Sequence, residues 1–190
     1  MENKNEVKLQ GRIVRMECKD DTTKGIIEVE RNSGVVDRIP FTTKHKVSIH
    51  ADWVNVKGRL QTRNVKGKDG KKHKKMYIYA DRISNQEIDY YCNKNEIEFF
   101  GTLVHKDVLR KTPKGKTVMD IIVAVNGEDG SQYPSVIVWG NVAENVDCLP
   151  IGTDLYIKGR FQSREYMKET ENGIQVRTAY EISVLTAEVM

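Results

Sequence analysis

The sequence has no long apolar run and no leader-like amino terminus. Among its 190 residues the longest uninterrupted apolar run covers residues 121–125, whereas a membrane-spanning helix needs about twenty. Residues 1–6 alternate charged and polar side chains and lead into no apolar segment, so they do not form a secretory signal. We therefore expect a cytoplasmic protein with no membrane partner.

The sequence also lacks the spacings that metal sites and catalytic sites use. Cys18, Cys92 and Cys148 are far apart and form no Cys-x-x-Cys pair, which fits neither a disulfide framework nor a zinc site. Reduced, mostly buried thiols are expected, with no metal and no cofactor. The four histidines have no ligand partners at a suitable spacing, and no Ser/His/Asp or Cys/His pattern indicates a nucleophile. The sequence predicts a protein that is not an enzyme.

The net charge of +4 is too small to identify a partner, but it is unevenly distributed. Residues 1–94 contain 21 basic and 13 acidic side chains, which gives +8, whereas residues 95–190 contain 10 and 14, which gives −4. The first half therefore carries the positive charge.

The chain contains an internal repeat. Residues 5–14 (NEVKLQGRIV) return as residues 95–104 (NEIEFFGTLV), and residues 56–63 (VKGRLQTR) return as residues 157–164 (IKGRFQSR). The offset between the copies grows from 90 to 101, so the second copy carries about eleven extra residues between these blocks. We expect them where the first copy has residues 42–52, a segment too short and too polar for a helix. The repeat predicts two copies of one unit, with domains at 1–88 and 89–190.

Alternation of apolar and polar side chains predicts strands in both copies. Residues 155–161 place Leu155, Ile157 and Phe161 on one face and polar or charged side chains on the other. Residues 142–149 of the second copy instead follow the spacing of one short amphipathic helix. The predicted fold is all-β: two tandem OB-folds, which are five-stranded Greek-key barrels, the second with a short helix between its third and fourth strands. Other small barrels could share this element count.

The second copy resembles bacterial-type single-stranded DNA-binding proteins over residues 95–185. The resemblance rests on ordered motifs at residues 101–103 (GTL), 110–116 (RKTPKGK), 121–126 (IIVAVN), 133–144 (YPSVIVWGNVAE) and 152–166 (GTDLYIKGRFQSREY). It implies sequence-tolerant binding of single-stranded DNA in replication, recombination or repair. It also implies four OB domains acting together, and hence a homodimer of this two-domain chain. The chain ends at Met190 without the acidic tail of the family, so tail-mediated protein recruitment is in doubt and a mobile-element origin gains weight.

Aromatic side chains are the candidates for base stacking. The resemblance places Tyr133, Trp139 and Tyr166 at the family's stacking positions, and Tyr133 and Trp139 share a strand parity that points both out of the barrel. In the first copy only Phe41 and Trp53 are comparable, and for these two residues packing is the favoured interpretation.

Lysine and arginine side chains are the candidates for phosphate contacts, and most lie in what we call the basic hairpin, residues 57–75. It contains nine cations against Asp69 alone, and its tip is one of the loops that OB-folds use to hold nucleic acid. A solvated loop is the alternative interpretation. The predicted phosphate contacts are Lys57, Arg59, Arg63, Lys66, Lys68, Lys71, Lys72, Lys74 and Lys75 in the first copy and Arg110, Lys158, Arg160 and Arg164 in the second.

Two alternatives to single-stranded DNA binding stay open from the sequence. One is an OB protein that binds RNA or acts in replication restart. The other is an interaction module whose first copy mediates assembly with protein partners.

Overall fold

The structure is a computed structural model that describes residues 4–190 apart from residues 46, 48, 68–69, 87–91, 128–129 and 171–172. The predicted domain boundary at 88/89 lies outside the described residues and stays a prediction. No helix in the described ranges is long and apolar enough to span a membrane.

Each copy forms a closed five-stranded barrel, which confirms the predicted tandem OB-folds. In the first barrel the ring runs β1–β2–β3–β5–β4 and back to β1, with β3 and β5 parallel. Its strands are β1 (Asn5–Lys19), β2 (Thr22–Glu30), β3 (Val36–Thr43), β4 (Trp53–Lys66) and β5 (Lys72–Asn85).

The second barrel repeats this ring as β6–β8–β9–β11–β10, with a short extra strand β7 beside β8. The predicted helix lies between its third and fourth strands. The elements are β6 (Lys94–Lys106), β7 (Arg110–Lys111), β8 (Thr117–Ala124), β9 (Ser135–Trp139), α1 (Gly140–Asp147), β10 (Asp154–Thr170) and β11 (Gly173–Val189).

The predicted alternation sorts side chains between core and surface. Leu155, Ile157 and Phe161 are fully buried, as are Val54 and Leu60 at matching places in the first barrel. Burial of each such side chain contributes roughly 1.5–3 kcal/mol.

A glycine in the shared KGR motif lets the fourth strand of each barrel kink. A Cβ at Gly58 would stand 2.1 Å from the Tyr79 carbonyl oxygen, and one at Gly159 would stand 2.5 Å from that of Ser183. Both positions coincide with a shift of register. Only glycine permits so close an approach of two backbones.

The two barrels are joined by their first strands into one eleven-stranded sheet. β1 pairs antiparallel with β6 from Asn5↔Phe99 to Gln10↔Lys94. We call the side chains that point outward from β4, β1, β6 and β10 the outer sheet face.

The repeated Asn-Glu start has a structural role in each copy. The Asn5 side chain donates to the Leu60 carbonyl at 2.9 Å and accepts the Leu60 N–H at 2.9 Å. Asn95 does the same with Phe161, at 2.7 and 2.9 Å. Each asparagine therefore holds the fourth strand of its own barrel.

Each long hairpin also crosses onto the other barrel. The Thr62 N–H donates to Gln132 Oε1 at 2.6 Å, and the Tyr133 N–H donates to Thr62 Oγ1 at 3.1 Å. On the other side the Ser163 N–H donates to Asp37 Oδ1 at 2.9 Å, and the Arg38 N–H donates to the Ser163 hydroxyl at 2.8 Å. The same two contacts are thus made twice, which gives the pair of barrels an approximate twofold symmetry.

Strand registers divide the eleven extra residues of the second copy between two places. Glu28 occupies the position of Ala124, an offset of 96, and Phe41 that of Val136, an offset of 95. About half of the difference therefore lies between the first two strands and half around α1, so the prediction that assigned it all to residues 42–52 was wrong. The described residues of this segment form no helix.

The prediction of mostly buried thiols was also wrong, because Cys18, Cys92 and Cys148 are all exposed. Cys18 lies near the end of β1, and Cys148 directly follows α1 at the surface.

Candidate nucleic-acid interface

Trp139 ends β9 and is half-buried on the outer surface of the second barrel. In the sheet Trp139 pairs with Val118 on β8, and Val118 also pairs with Arg110 on β7. Directly paired residues share a face of the sheet, so the indole and the Arg110 guanidinium belong to one row. Arg110 is exposed and forms an ion pair with Asp120.

Tyr133 lies just before β9 and is 45% exposed. Val136 and Val138 of β9 point into the core, as the alternation in the sequence predicts. Ile137 has the outward parity but is only 7% exposed, since β8 and β11 flank it on both sides. The backbone bond from Tyr133 to Thr62 places this aromatic beside the basic hairpin of the other copy.

Tyr166 lies on the part of the β10–β11 hairpin that extends beyond the barrel, residues 163–170 and 173–180, which we call the arm. The phenol ring is 37% exposed, and the Arg164 guanidinium lies 6.0 Å from its centre. Tyr166 faces the first barrel, because it lines a cleft together with Lys24 and Pro40.

The structure buries Phe41 in the first barrel with 2% of its surface exposed, which supports the packing interpretation. Its ring lies against Gly25, where the second copy has Val136 paired with Ile121. A large ring on β3 thus fills the space that the glycine on β2 leaves. Trp53 is half-buried, with an outward parity on β4.

Sequence reasoning missed two aromatics on β5 just beyond the basic hairpin, Tyr77 and Tyr79. The Arg59 guanidinium lies 4.6 Å from the Tyr79 ring centre, and that of Arg63 lies 5.7 Å from the Tyr77 ring centre. The alternation in residues 76–80 (MYIYA) could have found them, because Met76, Ile78 and Ala80 are buried and the tyrosines between them must point outward.

Most of the predicted phosphate contacts lie at the tip of the basic hairpin or on the outer sheet face. Those of the hairpin tip are exposed, and Lys68 lies outside the described residues. Lys57 and Lys158 occupy matching positions on the outer sheet face, paired with residues of β1 and β6. The exposed side chains of the tip region are Arg63, Lys66, Lys71, Lys72, Lys74 and Lys75.

Two of the predicted arginines are less accessible to phosphate than the sequence suggests. Arg59 forms an ion pair with Asp81 at 2.6 Å. Arg160 is half-buried between the barrels, and among the described residues its Nε has no hydrogen-bond partner. Burial lowers the pKa of Arg160, and nearby Arg31 lowers it further. The Arg160 side chain therefore lies at the junction between the copies, and its role as a phosphate contact stays a prediction.

The outer sheet face carries a closed polar cluster. Lys4 Nζ lies 2.6 Å from Glu98 and donates to the Tyr156 hydroxyl at 3.1 Å, and this hydroxyl donates to Glu98 at 2.6 Å. The bond from Lys4, followed by that from Tyr156, lowers the pKa of Glu98 to about 2. Phe100 packs on Tyr156 with ring centres 4.9 Å apart.

Comparison with known sequences decides the family, because residues 94–190 match the Single-strand binding protein family. The chain belongs to this family. Among curated members it is similar to single-stranded DNA-binding protein 1 of Streptococcus pyogenes, with 35% identity over 83 residues, and to single-stranded DNA-binding protein 2 of Streptococcus agalactiae, with 31% over 83 residues. Each match covers 40% of this chain and spans 63% of the relative's length.

Solved structures of the family extend the likeness to both barrels. The wild-type single-stranded DNA-binding protein of Thermus aquaticus matches with a TM-score of 0.74 and 22% identity, covering 98% of this chain and 92% of that one. A deletion variant of that protein matches with a TM-score of 0.70 and 21% identity, covering 98% and 94%. At these identities the likeness shows the fold, including the tandem arrangement.

Proposed function

We propose that this protein binds single-stranded DNA with little sequence preference and protects it during replication, recombination or repair in the cytoplasm. Bases stack on Trp139, Tyr133 and Tyr166, and phosphates contact the basic hairpin. In this proposal the protein binds and does not catalyse.

The observation that carries the proposal is the bond between Tyr133 and Thr62, which sets an exposed aromatic of one copy against the basic hairpin of the other. Sequence-tolerant binding of single strands needs base-sized aromatic faces beside a cationic path for the backbone. The bond between Tyr133 and Thr62 brings the cations of the first copy beside an exposed aromatic of the second.

The test is a titration of labelled poly-thymidine, followed by anisotropy and by Trp fluorescence. We expect Trp139→Ala to weaken binding about five- to hundredfold, since stacking contributes roughly 1–3 kcal/mol per base. Trp53→Phe is the matched control and should retain both affinity and quenching. Equal affinity for duplex DNA, or no binding at low salt, would contradict the proposal, and tighter binding of RNA would favour the RNA-binding alternative.

The same titration at several salt concentrations tests the basic hairpin. Replacing Lys71, Lys72, Lys74 and Lys75 by Ala should reduce the slope of log K against log salt by about 1–3, because each phosphate contact on a single strand contributes about 0.7. Lys8→Ala, which removes an exposed cation of the outer sheet face, controls for the loss of charge. An unchanged slope would favour the alternative interpretation, in which the hairpin is only a solvated loop.

Two chains pair in this proposal to give four barrels, the number that acts together in the family. The outer sheet face supports the pairing, because it is a continuous surface of four strands from both barrels with Phe100 and Tyr156 packed on it.

A further inference from the structure

A pocket of about 330 Å³ opens on the first barrel at the edge of the outer sheet face. It is lined by Asn55 and Lys57 of β4 and by Arg82 and Ser84 of β5, and we call it the basic pocket. Lys57 pairs directly with Arg82, and Asn55 with Ser84, so the four side chains share one face of the sheet. The Asn55 amide is held in place, because its oxygen accepts from Gln10 at 2.7 Å.

Like charges stand next to each other at this pocket. Lys8 on β1 pairs directly with Lys57, which pairs with Arg82, so three cations lie in one row across the sheet. Within the described part of the chain, Lys57 and Arg82 have no carboxylate within 4 Å, and Lys8 reaches Glu6 only at 3.9 Å. Like charges that are directly opposite destabilise a sheet. The row therefore favours an acidic group from outside the chain.

The second barrel carries the opposite features at the matching positions. Tyr156 stands where the first barrel has Asn55, and Glu188, its partner in the sheet, stands where the first barrel has Ser84. Phe100 pairs with Tyr156 and packs on it. The Glu188 side chain is exposed, and no cation of the described residues lies within 4 Å of it. We call Phe100, Tyr156 and Glu188 the ridge.

The row of cations is not repeated on the second barrel. Its place is taken by Thr186, Lys158 and Glu98, which carry one charge of each sign. Glu98 is also held by Lys4. The two halves of the outer sheet face therefore differ: one offers a cationic pocket, and the other offers aromatic rings beside the Glu188 carboxylate.

A twofold dimer joins one patch of a chain to a second patch of its partner, and the same contact is then made twice. We propose that the basic pocket of one chain receives the ridge of a second copy, so that the first barrel of each chain faces the second barrel of its partner. The Glu188 carboxylate of each copy compensates Lys57 and Arg82 of the other. Pairing of like barrels would instead set one row of cations against the other. The inference rests on the homodimer of the proposed function and adds which surfaces meet.

The test reverses the charges of the two surfaces separately. Lys57→Glu with Arg82→Glu is the pocket variant, and Glu188→Lys is the ridge variant. Lys111→Glu with Lys114→Glu is the matched control, because it reverses two exposed cations at and after β7, outside the outer sheet face. Light scattering over a dilution series gives the Kd of each homodimer, and native mass spectrometry of a mixture identifies heterodimers.

We expect the pocket variant and the ridge variant each to dimerise at least about tenfold more weakly than the unmodified protein, because each places like charges at both contacts. Mixed in equal amounts, the two variants should form a heterodimer about as tight as the unmodified dimer, since both contacts again join opposite charges. A misfolded variant could not regain affinity in this way. The control should dimerise normally.

A pocket or ridge variant that dimerises alone as tightly as the unmodified protein would overturn the pairing, and so would a mixture that forms no heterodimer. Added salt should weaken the unmodified dimer, because opposite charges meet in it, and a dimer that tightens with salt would indicate that like surfaces meet. A one-chain mass for the unmodified protein would instead overturn the homodimer of the proposed function, so the two failures are distinguishable.

Discussion

Replacing Asp37 by Asn should destabilise the junction between the two barrels. Asp37 is fully buried and accepts from Arg31 Nε at 2.7 Å and Nη2 at 2.5 Å, besides the Ser163 N–H. An asparagine oxygen can still accept the Ser163 N–H, just as the neutral Gln132 accepts from Thr62 on the other side. The substitution therefore removes the charge while it leaves the backbone contact possible.

The magnitude follows from what remains around Arg31. Removing one partner of a buried ion pair costs about 3–5 kcal/mol, because the other charge stays buried without compensation. The Arg31 side chain keeps 20% of its surface exposed, and Glu181 also attracts it. We therefore expect a loss of about 2–3 kcal/mol, which lowers Tm by about 4–12 °C in a chain of this length.

Thermal unfolding followed by circular dichroism measures this loss against a matched control. Glu165→Gln removes a carboxylate at the same junction, but its pair with Arg38 spans 3.6 Å with both side chains about 60% exposed, so it should change stability by less than about 1 kcal/mol. Adding Arg31→Met to Asp37→Asn should restore part of the loss, since no uncompensated charge then remains. Equal melting of Asp37→Asn and Glu165→Gln would refute the reasoning.

Two further predictions concern the outer sheet face. Glu98 has its pKa lowered from 4.5 to about 2, so its interactions stabilise the protein above about pH 4.5 and the contribution is lost as the pH falls toward 2; Glu98→Gln should melt below the unmodified protein at pH 7, and a gap in Tm that does not shrink on acidification would contradict this. Light scattering at micromolar concentration should give the mass of two 21.8 kDa chains, and a one-chain mass would contradict the homodimer.

Local patterns predicted the barrels well because each barrel is built from contacts within one repeat. The alternation around Phe161 and the KGR glycines follow from side-chain parity and backbone approach, which a short window of sequence contains. The surroundings of Arg160 could not be predicted from the sequence for the opposite reason. Its parity points it outward from β10, but the surface it meets belongs to the other copy, and no local pattern records that contact.

The aromatic residues show a similar division. Phe41 and Trp53 drew attention as large rings in the first copy, whereas the register places Phe41 opposite a glycine and therefore inside the barrel. Tyr77 and Tyr79 were overlooked although period-two alternation alone points them outward. For these aromatics, strand parity predicted exposure better than correspondence to the stacking positions of the second copy did.

The positions of the two long hairpins change the interpretation of the unequal charge of the two halves. Charges of +8 and −4 on successive domains could have described one domain that binds DNA and one that does not. Thr62 of the basic hairpin is hydrogen-bonded to Tyr133 and Gln132, and the arm lies over β3 of the first barrel. The hairpin of each copy, with its charged side chains, therefore lies against the other barrel. The cations of the first copy reach the aromatics of the second, and the arm carries Tyr166 back to the cations. Under the proposed function, a strand that follows either set of side chains meets the other, and both repeats act on the same strand.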